Sequence, residues 1–513
     1  MARDLTTGGA VKDGRPSAGA QSLGEQRTAI LSVAGMRAAE AAAMAAGTPE
    51  FALMKRAGEA AADAIRARWS PRETLVLAGP GNNGGDGYVV ARALAEAGWP
   101  VTVAAAVDAA RLRGAAKTAA ESWAGRTVSL ASAPVENAAL VVDALFGTGL
   151  ARALKPEIQA VLARAEATGA PLVAIDLPSG LAGDTGRASA YAPRCILTIT
   201  FQTKKPAHVL EPGRRLCGEI VVADIGLIGA GQGTRLFEND PALWLDRFPW
   251  PRPDIHKHAR GRLAVVAGNM WSGGAARLSA RAGLRIGAGL VTLLSGSDAL
   301  AVNAGHLEAV MLQPFDSDIE LEEAAANADA AVIGPAAGIN HDTYLNLMAL
   351  ARTGAALVID ADALTVFRDD PAVLFSALDR DDVLTPHVGE FERVFPGLLA
   401  SSPERVTAAR KAAERAGAVV LLKGPDTVVA APDGRVCVNT RTTPWLATAG
   451  SGDVLSGFIG GLLAQGMETF EAAAAAVWIH SQAALNFGPG LIAEDLPDLA
   501  PAVLKDLLAR AGG

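Results

Sequence analysis

The stretch Thr74-Leu-Val-Leu-Ala78 runs directly into Gly79-Pro-Gly-Asn-Asn-Gly-Gly-Asp-Gly87, and together they indicate the fold of the first half of this chain of 513 residues. The continuous apolar character of the first five residues predicts a buried strand. The glycine-rich segment then leads into a helix predicted over Tyr88 to Ala97, and Val101 to Ala106 form the next predicted strand. This order of strand, loop, helix and strand predicts a parallel sheet with a right-handed crossover.

The glycine-rich loop matches a dinucleotide-binding fingerprint but contains more than that fingerprint requires. Gly79, Gly81 and Gly84 have the G-x-G-x-x-G spacing, and Asp108 lies at about the offset of a ribose-binding acid. An NAD-dependent dehydrogenase is therefore an alternative. The fingerprint leaves three further polar side chains of the loop unexplained, which are Asn82, Asn83 and Asp86. No later segment offers a clear hydride-transfer site, which weighs against the dehydrogenase.

Two further predicted strands end in the same kind of polar loop. They are Leu140-Val-Val-Asp143, which leads into Ala144-Leu-Phe-Gly-Thr-Gly149, and Leu172-Val-Ala-Ile-Asp176, which leads into Leu177-Pro-Ser-Gly180. The carboxyl ends of parallel strands meet at one crevice of an open sheet. Oxygen atoms of Asn83, Asp143 and Ser179 could therefore bind a hard monovalent or divalent cation. The alternative is that Asp143 and Asp176 only cap helices.

The second half of the chain repeats the alternation of strands and helices. Predicted strands lie at 263–267, 290–294, 330–334, 356–360 and 419–422, with a strand end at 382–390 and a hairpin formed by 427–430 and 435–439. Polar residues again follow the strand ends. The same α/β architecture is therefore expected in both halves.

A second glycine-rich turn, Thr448-Ala-Gly-Ser-Gly-Asp-Val-Leu-Ser-Gly457, opens a predicted helix near the C-terminus. Backbone N–H groups converge at such a helix start, and the helix dipole adds positive potential. Asp453 in this turn could take a proton from a hydroxyl group while the N–H groups stabilise developing negative charge. The alternative is an N-capped helix with a closely packed turn and no chemical role.

Length and composition predict two well-buried α/β domains. Apolar residues make up 50% of the chain and charged residues 19%, and 513 residues exceed one ordinary core. The segment from Asp240 to Asp254 is rich in Pro and Trp and is predicted to be a linker. The predicted division is a disordered extension over 1–27, a first domain over 28–239, a linker over 240–258 and a second domain over 259–513.

Charge and cysteine usage indicate a cytoplasmic protein without nucleic-acid or membrane partners. The net charge of -8 argues against nucleic-acid binding through bulk charge. Cys195, Cys217 and Cys437 are far apart, as expected of a reduced protein. No run is long and apolar enough to span a bilayer, and the N-terminal residues lack the apolar region of a signal peptide.

With these motifs together, the chain resembles the bifunctional NAD(P)H-hydrate repair enzymes, which fuse an NAD(P)HX epimerase to an ADP-dependent (S)-NAD(P)H-hydrate dehydratase. The resemblance runs from about Ile30 to the C-terminus. The motifs are Gly79–Gly87, Val142–Gly149 and Ile175–Gly180 for the epimerase, and Leu384–Glu390, Leu422–Gly424 and Gly450–Gly457 for the dehydratase. The resemblance implies two three-layer αβα domains, the first Rossmann-like and the second ribokinase-like.

The resemblance also implies roles for residues of the first half. The residues that would contact NADHX or NADPHX are Asn82, Asn83, Gly84, Gly85, Asp86, Gly147, Thr148, Gly149, Leu150, Ala151, Arg152 and Ala153. The residues that would coordinate K⁺ are Asn83, Asp143 and Ser179. Asp176 would touch the ligand and is our choice for the acid/base group, because epimerisation at C6 needs reversible bond breaking at a carbon that bears a hydroxyl.

In the second half, the resemblance implies a hydrate site and a nucleotide site. The hydrate contacts would be Ala275, Gly338, His387 and Asp453, and the nucleotide contacts would be Lys423, Gly424, Pro425, Asp426, Thr427 and Gly452. Asp453 would activate the C6 hydroxyl of (S)-NAD(P)HX, ADP would phosphorylate that oxygen, and elimination of phosphate would restore NAD(P)H and leave AMP. Mg²⁺ is expected with ADP, and a homo-oligomer is expected.

Three segments leave alternatives open. The family usually has Asn before Ala-Gly where this chain has Leu53-Met-Lys-Arg-Ala-Gly58, and Ile333-Gly-Pro-Ala-Ala-Gly338 replaces a commoner Gly-Pro-Gly-Leu-Gly. Gln202-Thr-Lys-Lys-Pro206 is either a phosphate contact or a pair of exposed lysines. A ribokinase-type small-molecule kinase with a non-catalytic N-terminal binding module would also use Asp453, but it would release a phosphorylated product.

Overall fold

The computed structural model describes residues 23–149, 153–253 and 256–512, and the first half of this range contains seven strands and seven α-helices. The strands are β1 (Thr74–Ala78), β2 (Val101–Ala105), β3 (Arg126–Ser129), β4 (Leu140–Ala144), β5 (Leu172–Ile175), β6 (Leu197–Phe201) and β7 (Glu219–Ala223). The helices are α1 (Leu23–Thr28), α2 (Val33–Ala45), α3 (Glu50–Arg66), α4 (Asn82–Glu96), α5 (Gly114–Glu121), α6 (Pro156–Ala167) and α7 (Gly213–Cys217).

These seven strands form one parallel sheet in the order β3-β2-β1-β4-β5-β6-β7. The predicted crossover from β1 through α4 to β2 is confirmed. The strand order reverses between β1 and β4, and these two strands end together because Ala78 pairs with Ala144. Every residue of both strands is buried. An open parallel sheet binds ligands at such a reversal, so a binding site is expected at the residues that follow Ala78 and Ala144.

Helix α4 begins earlier than the sequence predicted, at Asn82 instead of Tyr88. Its first intrahelical bond runs from the Gly85 N–H to the Gly81 carbonyl (3.1 Å). A Cβ at Gly84 would lie 2.0 Å from the carbonyl oxygen of Gly79, so glycine is required for the helix to start this close to the strand end. Asn82, Asn83 and Asp86 are therefore helical residues and not loop residues.

The second half contributes ten strands and eleven α-helices to the described residues. The strands are β8 (Leu236–Glu238), β9 (Arg262–Val266), β10 (Leu290–Ser295), β11 (Met311–Pro314), β12 (Ala330–Ile333), β13 (Ala356–Ile359), β14 (Val383–Leu384), β15 (Val419–Leu422), β16 (Thr427–Ala430) and β17 (Val436–Asn439). The helices are α8 (Gly274–Arg285), α9 (Leu300–Ala304), α10 (Asp318–Ala325), α11 (His341–Ala351), α12 (Ala361–Thr365), α13 (Pro371–Ala377), α14 (Val388–Val394), α15 (Arg405–Ala416), α16 (Ser451–Ala464), α17 (Thr469–Phe487) and α18 (Asp495–Arg510).

The second sheet has the order β11-β10-β9-β12-β13-β14-β15-β16-β17-β8. Its seven strands from β11 to β15 are parallel and repeat the order of the first sheet, with the reversal between β9 and β12. The predicted hairpin is confirmed by the antiparallel pairing of β16 with β17. Apolar cores cover both faces of each sheet, so the prediction of two three-layer α/β/α domains is confirmed.

The structure differs from the predicted domain boundaries. Strand β8, which the prediction placed in the first domain, pairs with β17 in the second sheet. Trp244, which the prediction placed in the linker, is fully buried in the second core and donates its indole N–H to Asn239 (3.1 Å). Residues 23–27 of the predicted extension belong to α1, and residues 1–22 lie outside the described residues. Large aromatic side chains explain the difference, because their burial outweighs weak helical or strand periodicity.

Several contacts join the two halves directly. The Lys204 ammonium lies 2.6 Å from the Glu238 carboxylate, and the Glu211 N–H donates to Asp426 (3.1 Å). Ile30 donates its N–H to the carbonyl of Leu236 and is buried in the second core. Within the described ranges, no helix is both long and apolar enough to cross a membrane.

Candidate active sites

A cavity of about 480 Å³ opens at the strand-order reversal of the first sheet. Its wall includes the start of α4, the segment after β4 and the residue after β5. The predicted ligand contacts that line it are Asn82, Asn83, Asp86, Gly147, Thr148, Gly149 and Asp176. The walls also contain Lys205 of the Gln202–Pro206 motif, and side chains that the sequence analysis did not select, among them Arg37, Glu40 and Glu50.

Not every predicted ligand contact reaches this cavity. Gly84 and Gly85 are buried in packing, since a Cβ at Gly85 would meet Met54 at 2.6 Å. Ala153 is exposed and is absent from the cavity wall. Leu150, Ala151 and Arg152 lie outside the described residues.

Asp176 is held in an unusual backbone conformation at the end of β5. Its φ angle is +66°, a region that costs energy for a residue other than glycine. The buried imidazole of His208 lies 2.8 Å from the Asp176 carbonyl through Nε2, and its Nδ1 accepts the Lys205 N–H (2.9 Å). The Nε2 atom must therefore carry the proton. Burial and Lys205 lower the pKa of His208 to about 4, so this imidazole is neutral and serves as a fixed donor.

The Asp176 carboxylate is surrounded by donors. Thr148 donates its N–H to Oδ2 (2.9 Å), Thr200 donates its hydroxyl to Oδ1 (3.1 Å), and the Lys205 ammonium lies 3.0 Å from Oδ1. Burial raises the pKa of the Asp176 carboxyl, but Lys205 and the Thr148 N–H outweigh this effect and lower it to about 2. Asp176 is therefore an anion at all ordinary pH values.

Asp86 and Glu40 line the same cavity, and their pKa values are raised, whereas that of Asp176 is lowered. Burial raises the pKa of Asp86 well above its usual value, and the charges of Asp176 and Glu40 raise it further. Burial also raises the pKa of Glu40. No hydrogen bond or ion pair to the Asp86 carboxyl occurs in the part of the chain that the structure describes. The cavity thus combines a stabilised carboxylate with carboxyl groups that retain their protons more readily.

The predicted cation ligands lie around the segment that follows β4. Asp143 is fully buried and accepts the Ser179 hydroxyl (2.6 Å), the Ser179 N–H (2.8 Å) and the Leu145 N–H (3.2 Å). The Asn83 amide, oriented with its nitrogen donating to Ile175 (3.1 Å), accepts the Gly147 N–H (3.3 Å). Burial raises the pKa of Asp143 to about 6. Among the described residues, no group of three or more His, Cys, Asp or Glu side chains forms a metal site.

The second site lies at the start of α16. Gly450 precedes this helix with φ of +87°, and Asp453 is half-buried in the first turn. The buried His480 lies 2.9 Å from the carbonyl of Ser451 and supports the turn from α17. Burial and the charge of Asp360 raise the pKa of Asp453 to about 6, although Lys423 opposes them. The Asp453 carboxylate thus has the basicity of a general base that works near neutral pH.

A network of buried side chains positions Lys423 beside this turn. Its central residue, Asp360, was not selected by the sequence analysis. The Lys423 ammonium lies 2.7 Å from Oδ1 of Asp360 and 3.8 Å from Glu390. Asp360 caps α12 and accepts the Ser456 hydroxyl through Oδ2 (2.7 Å). A Cβ at Gly452 would lie 3.7 Å from the Lys423 nitrogen. The ammonium therefore faces the backbone of the predicted nucleotide site.

The other predicted contacts of this half surround the same end of the sheet. His387 caps α14, where its Nδ1 accepts the Gly389 N–H (2.9 Å). Gly338 donates its N–H to Asp362 (2.9 Å). Ala336, two residues earlier, adopts φ of +52°, a conformation that glycine would tolerate better. Ala275 lies in the first turn of α8.

The predicted nucleotide loop after β15 is stabilised by hydrogen bonds between its own residues. Thr427 closes the turn through its hydroxyl, which donates to the Gly424 carbonyl (2.8 Å). Pro425 lies inside the same turn. The Asp426 side chain is buried and faces Arg405 (3.1 Å) and the Glu211 N–H. Only the backbone of Asp426 is therefore free to contact a nucleotide.

Sequence reasoning missed three groups for different reasons. Lys205 belonged to the Gln202–Pro206 motif, but only the fold brings it to Asp176. Asp360 ended a predicted strand, and that position was the available signal. Glu40 lies in the middle of α2 and carried no local signal at all.

Comparisons with known proteins cover both halves. The family described as YjeF-related protein N-terminus matches residues 50–207, and the family described as NAD(P)H-hydrate dehydratase matches residues 263–500. One similar solved structure is an ADP/ATP-dependent NAD(P)H-hydrate dehydratase from Bacillus subtilis, co-crystallised with ATP and Mg²⁺. It is 24% identical in sequence with a TM-score of 0.46, and the alignment covers 53% of this chain and 98% of the Bacillus subtilis chain.

Curated relatives extend over nearly the whole chain. The bifunctional NAD(P)H-hydrate repair enzyme Nnr of Coxiella burnetii is 34% identical over 481 residues, which are 90% of this chain and 96% of that protein. The enzyme of the same name from Escherichia coli is 35% identical and covers 88% of each chain, and that from Moorella thermoacetica is 36% identical and covers 90% and 93%. With both sites and both family matches in one order along the sequence, the chain belongs to the bifunctional NAD(P)H-hydrate repair enzyme family.

Proposed function

We propose that this chain repairs hydrated nicotinamide cofactors in two steps at two separate sites. The first half epimerises (R)- and (S)-NAD(P)HX, and the second half dehydrates (S)-NAD(P)HX with ADP, giving NAD(P)H, AMP and phosphate. The observation that carries the proposal is the pair of polar sites, one at the strand-order reversal of the first sheet and one at the start of α16. Fusion of the two activities lets either epimer be consumed.

The first site binds the hydrate in the cavity at β1 and β4. The contacts are Asn82, Asn83 and Asp86 from α4, Gly147, Thr148 and Gly149 after β4, and Asp176 after β5. Asp176 faces the reacting carbon as a carboxylate, and its fixed orientation by Thr148 and Lys205 removes the need to reorganise it during the reaction.

The buried oxygen donors near Asp143 fit a monovalent cation. Asp143 has no cationic partner in the described residues, and its own neighbours are Ser179 and the Leu145 N–H. A buried carboxylate without a counter-charge is costly, and a large monovalent ion with oxygen ligands would compensate it. Asn83, Asp143 and Ser179 would hold K⁺, whose positive charge would stabilise the loop that carries Gly147 and Thr148.

The second site performs phosphoryl transfer followed by elimination. Asp453 takes the proton of the C6 hydroxyl, the oxygen attacks the β-phosphorus of ADP, and AMP leaves. Loss of a proton from C5 and departure of phosphate from C6 then restore the C5–C6 double bond. The Gly452 N–H and the Lys423 ammonium hold the phosphate groups, and Mg²⁺ bound with ADP would neutralise their charge.

The decisive experiment follows the recovery of dihydronicotinamide absorbance from a mixture of (R)- and (S)-NADHX with ADP and Mg²⁺. Complete recovery is expected, together with AMP and free phosphate. Asp453→Asn is expected to stop dehydration and leave epimerisation intact. Recovery of only the (S) portion would refute the epimerase, no recovery would refute both activities, and a stable phosphorylated product would favour a ribokinase-type kinase.

A thermal-shift experiment tests the K⁺ site without any activity measurement. Replacing choline chloride by KCl at equal ionic strength is expected to raise the Tm of the first domain, since K⁺ binds only the folded form. The increase should vanish in Asp143→Asn, which keeps the size of the side chain and removes its charge. Equal Tm values in both salts for the unaltered protein would contradict the site.

Location and assembly are further parts of the proposal. Cys195, Cys217 and Cys437 are free, buried thiols, which suits a reducing compartment such as the cytoplasm. We also propose a homo-oligomer, and light scattering of the purified protein tests it, because a monomer mass would exclude this assembly.

A further inference from the structure

Two of the carboxyl groups that line the first cavity, those of Asp176 and Asp86, differ in their hydrogen bonding. Asp176 accepts hydrogen bonds from Thr148, Thr200 and Lys205. Asp86 lines the same cavity, and its carboxyl group has no hydrogen-bond or ion-pair partner in the ranges that the structure describes. Such a carboxyl group is available to the ligand, whereas that of Asp176 is already committed to the protein.

The Lys205 ammonium is fully used inside the protein. Its nitrogen contacts the Thr200 hydroxyl (2.7 Å), the Phe201 carbonyl (3.2 Å) and Oδ1 of Asp176 (3.0 Å). An ammonium group has three N–H donors, and these three acceptors satisfy them all. The side chain is 1% exposed. Lys205 is therefore neither an exposed lysine nor a phosphate contact, and its role is to hold the Asp176 carboxylate.

We propose that Asp86 is the general acid of epimerisation at C6, and that Lys205 is a positioning residue that keeps Asp176 as a fixed anion beside the reacting ring. This inference rests on the proposed epimerase function and divides its chemistry between the two carboxyl groups. Asp176 then acts through its charge, and Asp86 moves the proton.

The reaction follows from the chemistry of a carbon bonded to both nitrogen and hydroxyl. Asp86 gives its proton to the C6 hydroxyl, the C6–O bond breaks with its electron pair leaving on water, and the ring nitrogen shares the positive charge. The Asp176 anion stabilises this cation. Water adds to the other face of C6 and returns a proton to the Asp86 carboxylate. One water leaves and one enters, so no further reactant is required.

The charges around Asp86 favour this role. Glu40 of α2 and Asp176 after β5 oppose its ionisation, while Lys205 after β6 favours it to a smaller degree. Glu50 of α3 and Arg37 of α2 also line the cavity, and Glu50 accepts the Asn82 amide (3.3 Å). Burial and the carboxylates of Asp176 and Glu40 together raise the pKa of Asp86 well above its usual value, so Asp86 holds its proton more readily than an exposed aspartate does.

The test measures conversion of purified (R)-NADHX to (S)-NADHX by chromatography, without ADP so that no dehydration occurs. Asp86→Asn is expected to lower kcat roughly 100-fold or more with little change in KM, the usual loss for a general acid. The rate of the unaltered enzyme should fall as pH rises and Asp86 loses its proton, and this alkaline decline should be absent in Asp86→Asn. Dehydration of (S)-NADHX with ADP should be unchanged in the variant, which shows that it is folded.

The lysine is tested by a pair of adjacent substitutions. Lys205→Met is expected to lower kcat and to introduce a new loss of rate at acidic pH, because the Asp176 carboxyl then takes up a proton more easily. Lys204→Met is the matched control and should leave epimerisation unchanged, since Lys204 pairs with Glu238 outside the cavity.

The epimerisation assays distinguish failure of the two residue roles from failure of the proposed function. Full epimerisation by Asp86→Asn overturns the general-acid role, and a Lys205→Met profile that matches that of the unaltered enzyme overturns the positioning role. Absence of epimerisation in the unaltered enzyme instead refutes the proposed function itself.

Discussion

At the scale of single residues, the pKa of the base proposed for the second site depends on burial and on a neighbour of the same charge. Asp453 has no hydrogen bond to its carboxylate in the described part of the chain. Burial and the charge of Asp360 raise its pKa, while Lys423 lowers it. Asp360 also binds Lys423 directly (2.7 Å). One carboxylate therefore both positions the Lys423 ammonium and helps to raise the pKa of the proposed base.

Asp360→Asn is expected to move the acidic limb of dehydration to lower pH. The substitution removes the negative charge that raises the pKa of Asp453 and leaves the charge of Lys423 less compensated, so Asp453 ionises more easily. In the proposed mechanism ionised Asp453 is the active form, so the limb should shift by roughly one pH unit. The measurement is kcat/KM for (S)-NADHX against pH.

Asp369→Asn is the control for this charge removal, because Asp369 is exposed and its ion pair among the described residues is with the neighbouring Arg368. Its profile should match that of the unaltered enzyme. A limb that moves to higher pH in Asp360→Asn would contradict the assignment of Asp453 as the titrating base.

At the scale of secondary structure, the second site depends on how closely α16 packs on α8. A Cβ at Gly457 would lie 2.1 Å from the carbonyl oxygen of Ser279, and a Cβ at Gly461 would lie 2.3 Å from Ile286. The Ser279 hydroxyl in turn donates to the Asp453 carbonyl (2.7 Å). Glycine at these positions thus brings the helix backbone close enough for α8 to hold the turn that carries Asp453.

Gly457→Ala is expected to force the two helices apart. The added methyl group should lower the free energy of unfolding by about 1–3 kcal/mol, as overpacking does elsewhere. Dehydration should fall because the turn that carries Asp453 moves, while epimerisation should remain. Urea denaturation and the two activity assays give the required values.

Gly305→Ala is the matched control for this substitution. Gly305 lies at the end of α9 with φ of -68°, and a Cβ there would meet nothing closer than 3.6 Å. This variant should keep both stability and activity. Unchanged dehydration in Gly457→Ala would show that close packing of α16 is not needed for catalysis.

At the scale of the whole molecule, the second domain includes chain that precedes its predicted start. Phe237, Trp244 and Phe248 are buried in the second core, and the Trp244 ring packs edge-on against Trp478 (5.9 Å). Strand β8 also completes the edge of the second sheet through β17. A division at residue 259 would expose these surfaces to water.

A fragment of residues 234–513 is therefore expected to be more stable than one of residues 259–513. Loss of three buried aromatic side chains should cost on the order of 5 kcal/mol, which approaches the whole stability of a domain. Thermal unfolding of the two fragments, with size-exclusion chromatography to detect aggregation, measures the difference. Equal Tm values would restore the boundary predicted from the sequence.

The architecture and the elements that carry the two candidate sites could be predicted from local sequence patterns alone. Strand β1 was predicted with its observed bounds, because a short apolar run between turn residues has few alternatives. The glycine-rich motifs after β1 and before α16 also identified two polar sites, since closely spaced glycines are required where a backbone approaches another chain segment.

Which charged groups come into contact could not be predicted from the sequence, because it depends on how distant segments pack. Lys205 and Asp176 are separated by an entire strand in the sequence, and Asp360 lies far from both Lys423 and Ser456, yet each set is in hydrogen-bond contact. The ionisation of Asp86, Asp176 and Asp453 depends on burial and on charges from distant segments, and neither can be read locally. Local sequence patterns therefore predicted where the chemistry lies, whereas the three-dimensional packing decided which group holds a proton.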